Sequence, residues 1–380
     1  MPARRRPLIL LLVPRLDGGG AQRVVALLAK HLSSRSYELH LGALLAPEAG
    51  THPAEFPPQV TLHGFQARRV RAAAGPLLRL IRRLRPELIL SSMAHLNFLV
   101  LLLRPFFPAS TRVMVRQNAT VSAALAFGGL PFYTRLLYRL LYPRADRVIC
   151  QSQAMADDLA NGLRIPAARL AILPNPIEVD ALRAHGARTS NPAGESACWS
   201  GPGPHLLAIG RLAPEKGFDL LLHALTAVRE RFPLAELALV GAGKEEAALR
   251  ALAKALGLEG SVHFTGEVAQ PAVFFPSTDL FVLSSRHEGL PNALLEAAAA
   301  GLPLVSTPAS GGVVALLRDQ PGCWLASGAS AAELTVSLQA ALGVLKPGQC
   351  FPHPFIEAFR LERAVGAYAD LIDAVLREGR

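Results

Sequence analysis

Glu288 and Glu296 are separated by seven residues within LFVLSSRHEGLPNALLEAAAAG, residues 280–301. The apolar run Leu280–Leu283 predicts a buried strand, Gly289 and Pro291 interrupt it, and alanine-rich Pro291–Ala300, closed by Gly301, predicts a helix. In that strand–loop–helix unit Glu288 precedes the positive end of the helix, and Glu296 lies about a turn and a half inside it. Loop amides and a helix N-terminus hold phosphate oxygens, and a carboxylate on the helix accepts hydrogen bonds from paired sugar hydroxyls. Such a site suits a nucleotide sugar. Read alone, the two residues fit equally a solvated loop charge and an ordinary surface helix carboxylate.

Arg211 and Lys216 lie five residues apart, between a predicted strand His205–Gly210 and a predicted helix Phe218–Arg231. Two such cations can converge on a diphosphate and offset the charge that builds on it as it departs; in isolation they are also plain loop charges. Gly18, Gly19 and Gly20 follow the first strand, Leu8–Val13, where a ligand can approach the backbone closely. They do not form G-x-G-x-x-G, which disfavours a nicotinamide cofactor. His95 falls just beyond the strand Leu88–Ser92, at the strand end where open α/β sheets place ligands. A lone histidine is also commonly structural. Arg116 and Asn118 lie beyond another strand end and are candidates to face an acceptor.

The elements that carry these residues alternate strand and helix twice over, which predicts an α/β chain of two Rossmann-like domains facing a cleft. The predicted division is residues 1–180, a linker over 181–204 rich in Gly, Ser, Pro and Ala, and 205–354, with a terminal helix over about 355–380 returning to the first domain. At 380 residues and 51% hydrophobic content, two cores are affordable. Cys150, Cys198, Cys323 and Cys350 have neither disulfide nor metal spacing, so a reducing compartment is expected. LILLLV near the N-terminus is too short for a membrane span and lacks a cleavage site, and no other apolar run reaches roughly 20 residues.

The net charge of +10 is concentrated in one half. Residues 1–180 carry 23 Lys or Arg against 10 Asp or Glu, and residues 181–380 carry 16 against 19. Arg79, Arg82, Arg83 and Arg85 interleave with Leu77, Leu80, Ile81 and Leu84, and GLPFYTRLLYRLLYPR mixes leucine, tyrosine and arginine in the same way. Each fits a solvated or snorkelling face and fits equally a surface resting on anionic lipid. A nucleic-acid partner is disfavoured, because only 6% of the chain is aromatic and no recognised module is present.

SSRHEGLPNALLEAAAAGLPLV, AIGRLAPEKGFDLLLHAL and GGGAQRVVALLA together resemble the retaining glycosyltransferase family 4 over most of the chain. The resemblance implies the GT-B fold and transfer of a sugar from a nucleotide diphosphate to an acceptor hydroxyl with retained anomeric configuration. It implies that Arg211 and Lys216 stabilise the diphosphate, that Glu296 holds the ribose and that Glu288 contacts the donor sugar. Gly289, Leu290, Pro291 and Asn292, with Gly18 to Gly20, complete the donor cradle, and His95 is the first-domain catalytic candidate. No metal or cofactor is expected, since the chain lacks an Asp-x-Asp pair and the cations take that place. The expected acceptor is a glycan or lipid-linked sugar in bacterial surface polysaccharide or glycolipid assembly, met in the cytoplasm or on the inner face of the membrane. One position departs from the family pattern: Ala315 stands where a glutamate usually follows the Gly311–Gly312 pair. An epimerase on the same fold, or a non-catalytic protein binding a nucleotide sugar or a lipid surface, are the alternative functions.

Overall fold

The strand Leu8–Arg15 shows why sheets form in this chain. Its residues LILLLV alternate between two cores: Leu10 and Leu12 face one, and Ile9, Leu11 and Val13 face the other. A strand apolar on both faces must be covered on both, and parallel sheets with helices on each side provide that cover. The chain, here as a computed structural model, is described over residues 6–16, 19–32, 37–45, 56–67, 69–127, 131, 133–186 and 199–378.

It divides into two units, residues 1–176 with 361–380, and residues 177–360. The first holds a parallel sheet of β1 (Leu8–Arg15), β2 (Glu38–Leu45), β3 (Thr61–Gly64), β4 (Leu88–Ser92), β5 (Arg112–Arg116), β6 (Arg147–Cys150) and β7 (Leu170–Ile172). Their order is β3-β2-β1-β4-β5-β6-β7. The helix Leu361–Arg377 closes one face, burying Leu361, Val365, Tyr368, Ile372 and Val375 at helical spacing against the cluster that contains Ile9 and Leu11.

The second unit holds β8 (His205–Ile209), β9 (Glu236–Val240), β10 (Val262–Gly266), β11 (Leu280–Leu283), β12 (Leu304–Ser306) and β13 (Cys323–Leu325), also all parallel, in the order β10-β9-β8-β11-β12-β13. In both sheets the chain winds outward one way and then the other. The reversal lies between β1 and β4 in the first unit and between β8 and β11 in the second, the topological switch points at whose carboxyl ends such sheets bind ligands.

The predicted linker is in part ordered structure. Val179–Gly186 is a helix whose Val179 and Leu182 are buried in the core of the second unit. Trp199 stacks on His205 with ring centroids 4.5 Å apart, and Ser200 donates its backbone N–H to Glu236 Oε2 at 2.8 Å. Tryptophan burial and a carboxylate anchor override the local Gly/Ser/Pro composition. Residues 187–198 of that stretch, with Cys198, lie outside the described residues.

Candidate active site

The loop after β8 and the loop after β11 meet at the switch point of the second sheet. Gly217, the turn residue between Lys216 and the helix Phe218–Arg231, has φ +62°, and a Cβ there would overlap the Ser284 carbonyl oxygen. Glycine is required for the two loops to close to this distance. Ser284 Oγ donates to the Lys216 carbonyl at 2.9 Å, and the Arg286 backbone N–H donates to the Glu215 carbonyl at 2.8 Å.

The side chains of Lys216 and Glu288, 72 residues apart in sequence, form an ion pair through Lys216 Nζ and Glu288 Oε1. Ser285 Oγ donates to the same carboxylate oxygen at 2.8 Å. Lysine and glutamate retain 20% and 13% of their side-chain exposure, so the pair is shielded yet open to a ligand. Arg211 is placed differently. Its side chain is 70% exposed and its guanidinium donates to Glu215 Oε1 at 2.5 Å within its own loop, whereas Lys216 turns its ammonium to Glu288.

Beyond Glu288 the chain is pinned from the neighbouring loop after β12. The Glu288 N–H donates to the Ala309 carbonyl at 2.9 Å, and Ser310 Oγ, which also caps the helix Gly311–Leu317, donates to the Gly289 carbonyl at 2.6 Å. Pro291 precedes the helix Asn292–Ala299 in extended conformation. Gly289 is buried and Leu290 is turned into the core, so Leu290 serves the loop by anchoring it. Glu296 sits one turn into the helix and is only 7% exposed. A carboxylate buried among Leu294, Leu295, Ala297 and Ala298 is not an ordinary surface helix charge.

Arg286 was not singled out in the sequence, yet it ties the site together. Its guanidinium donates in two-pronged fashion to Asp219, with Nη1 to Oδ1 at 2.6 Å and Nη2 to Oδ2, and Nη1 also donates to the Pro214 carbonyl at 2.9 Å. Partial burial works against the Asp219 carboxylate, but the Arg286 hydrogen bonds and charge outweigh it and hold its pKa below the usual 3.8. The Asp219 bond in turn holds Arg286 above its ordinary value. The only sequence signal was Asp219 itself, an acid at the N-terminal turn of a predicted helix.

In the first unit, Gly19 and Gly20 follow β1 and are exposed at the start of the helix Gly20–Leu32; Gly18 lies outside the described residues. His95 follows β4, exposed on the first turn of the helix Ala94–Leu103. These positions flank the β1/β4 switch point. Although the residue is exposed overall, the neighbouring chain shields part of its ring from water, and this draws the His95 pKa below 6.5 and favours the neutral imidazole at pH 7. Met93, the residue before this helix, has φ +79° and ψ 128°, a conformation that non-glycine residues rarely adopt.

Arg116 does not face an acceptor as expected. It is 2% exposed, and its guanidinium turns inward to Tyr368 Oη at 3.2 Å, Asn175 Oδ1 at 2.5 Å and Asn118 Oδ1. Asn118 is half-buried and donates to Ser92 Oγ at 3.1 Å.

Comparison with known proteins follows this geometry. Residues 18–181 match the family described as Glycosyltransferase Family 4, and residues 203–343 match Glycosyl transferases group 1. An uncharacterized glycosyltransferase of Haemophilus influenzae is 38% identical over 120 residues, which is 32% of this chain and 34% of that protein. The chain therefore aligns with about a third of that relative's length. An N-acetylgalactosamine-N,N'-diacetylbacillosaminyl-diphospho-undecaprenol 4-alpha-N-acetylgalactosaminyltransferase of Campylobacter jejuni is 26% identical, covering 80% of this chain and 81% of its own. Among solved structures, sucrose-phosphate synthase of Thermosynechococcus elongatus superposes with a TM-score of 0.81 at 17% identity, over 98% of this chain and 100% of its own. Anabaena HepE in complex with UDP and glucose gives 0.77 at 17% identity, over 97% and 100%. The two parallel sheets, their strand order and these superpositions define a GT-B fold. With family matches over both units, the chain belongs to the group 1 glycosyl transferases of glycosyltransferase family 4.

Proposed function

We propose that this protein transfers a sugar from a nucleotide diphosphate sugar to an acceptor hydroxyl, with retention at the anomeric carbon. The observation that carries the reading is the Lys216–Glu288 pair at the switch point of the second sheet, with the buried Glu296 on the helix that follows. A diphosphate oxygen against Lys216 competes with Glu288 for the same ammonium, and a donor-sugar hydroxyl gives Glu288 a replacement partner. The site thus exchanges an internal ion pair for two contacts with substrate, and the loop stays pinned by the Ala309 and Ser310 bonds.

Lys216 and Arg211 offset the charge that develops on the departing diphosphate, in place of a metal ion. Glu296 accepts from the ribose hydroxyls, Glu288 from the donor sugar, and the backbone N–H groups of Gly289, Leu290 and Asn292 line the donor cradle of the second unit. His95 serves the first unit as a neutral donor or acceptor at the reacting sugar, and Asn118 lies at the same strand ends. The Campylobacter relative, whose printed name is that of a diphospho-undecaprenol glycosyltransferase, supports a lipid-linked glycan as acceptor.

An anionic membrane surface completes the reading, and the helix Thr134–Leu141 favours it. This helix buries Thr134, Tyr138 and Leu141 and leaves Tyr133, Leu136 and Leu140 about half exposed beside Arg135 and Arg139, with Leu102 and Phe106 also exposed. Leucines outward among arginines suit the inner face of the cytoplasmic membrane. Among the described residues no helix is long and apolar enough to cross a bilayer.

The test is thermal stabilisation by UDP, GDP, ADP and their sugars, repeated with Lys216→Ala and Glu296→Ala. Ligand at a hundredfold its Kd stabilises by about 2.7 kcal/mol, which melting resolves. A shift with one nucleotide family, lost in both variants, is expected; no shift with any nucleotide refutes the donor site.

A further inference from the structure

Arg116 is a buried cation whose three partners, Tyr368, Asn118 and Asn175, are all neutral, and among the described residues no carboxylate pairs with it. A buried charge without a counter-charge contributes less to stability than a well-packed apolar residue would. What the guanidinium supplies is direction. It has donors only, so the Asn118 side chain must present its Oδ1 to Arg116 and turn its amide nitrogen away. That nitrogen then donates to Ser92 Oγ at 3.1 Å and contacts Met93 Sδ at 3.4 Å.

Met93 is the strained residue that launches the helix bearing His95, and its carbonyl accepts from the Leu96 and Asn97 amides. A backbone in so rare a conformation persists only where its surroundings over-determine it. A second tie reaches the same turn, because Asn97, two residues beyond His95, donates from Nδ2 to the Arg116 carbonyl at 3.0 Å. Tyr368, on the helix Leu361–Arg377, sets the far end of the chain by accepting from Arg116 Nε.

We infer that the buried chain Tyr368–Arg116–Asn118 is a positioning device that holds the Met93 turn and so fixes His95. The C-terminal helix thereby governs a residue at the ligand edge of the first sheet, 273 positions earlier in sequence. The catalytic consequence rests on the role proposed for His95; the positioning itself does not.

The test needs no substrate. Tyr368→Phe and Asn118→Leu leave the charge of Arg116 in place, so any change at His95 cannot arise from a lost cation. His95 is titrated by NMR in protein labelled at histidine, its resonance assigned with His95→Gln, and amide exchange is followed over residues 92–98. Partial shielding of the ring from water holds the His95 pKa below 6.5. Loosening the turn admits water and removes part of that penalty. Both variants are expected to raise the His95 titration midpoint toward 6.5 and to speed exchange of the 92–98 amides about tenfold. Unchanged titration and exchange in the folded variants overturn the inference. Should Asn118→Leu fail to fold, Tyr368→Phe, which keeps the ring, decides alone. A His95→Gln enzyme with undiminished turnover removes His95 from the reaction without altering this result.

Discussion

Removing the Arg286–Asp219 bridge should loosen the donor loop in a measurable way. The perturbation is Arg286→Ala, Asp219→Asn and the two combined. The bridge is a two-pronged charge-assisted contact, one prong 2.6 Å, with side chains 20% and 42% exposed. A fully exposed pair contributes about 0.2–1 kcal/mol, and hydrogen bonds to charged groups about 1.5–3 kcal/mol. Discounting for the exposure of Asp219 places the coupling at about 1.5 kcal/mol. Without it the segment Pro214–Asp219 must be re-ordered each time a diphosphate engages Lys216, so the cost appears in binding. Each single variant should raise the Kd for the recognised nucleoside diphosphate roughly tenfold. The double variant should cost no more than about 0.5 kcal/mol beyond the worse single one. Titration calorimetry on variants shown by melting to be folded makes the measurement. The Asp219 pKa is depressed below 3.8, so its contribution is complete above that value and disappears only as pH falls through the lower folded-state value. Affinity lost in the variants should accordingly be independent of pH between about 5 and 8. Single effects that simply add, or Kd values unmoved in both single variants, refute the brace.

Gly217→Ala combines left-handed strain with overlap on the Ser284 carbonyl, whereas Gly348→Ala carries a similar φ of +67° with no atom nearby. The first should lower Tm by about 5–10 °C and the second by no more than about 2–4 °C, and equal losses would contradict the close approach of the two loops. Vesicles containing anionic lipid should retain the protein at low salt better than neutral vesicles, with the difference lost in Leu136→Ser/Leu140→Ser. Equal retention by both kinds of vesicle removes the membrane from the proposed function.

Much of this architecture was legible because apolar runs and helical periods report burial directly. Leu280–Leu283 reads as a strand because all four side chains are buried, and Phe218–Arg231 reads as a helix because Leu221, Leu222, Leu225 and Val228 share a face. That Lys216 and Glu288 serve one donor site was implied by the resemblance, and their direct pairing was not, because it is set by the β8–β11 register. Arg286 escaped notice for a similar reason. Its partner is 67 residues away, and nothing in SSRHEG distinguishes a bridging arginine from a solvated one. Arg116 was seen but misread, since its strand-end position is shared by ligand-facing and inward-turning side chains. Partners distant in sequence, Asn175 at 59 residues later and Tyr368 at 252 residues later, decide between them. Composition misled at the start of the predicted linker, where Leu182, with Val179 just before it, is buried and outweighs the surrounding small residues.

The first unit is discontinuous in sequence, with the entire second unit inserted before its last helix. At a synthesis rate of about 5–20 residues per second, the interval between residues 176 and 377 is on the order of ten to forty seconds. Throughout it the face containing Ile9, Leu11 and Leu88 lacks its C-terminal covering helix, and Arg116 lacks Tyr368. Every strand of the enclosed unit, through Leu325, has by then been made. Here the usual order of vectorial folding is inverted: the part synthesised first is the last to close, and until then the helix Gly20–Leu32 alone, among the described helices, covers that leucine-rich face.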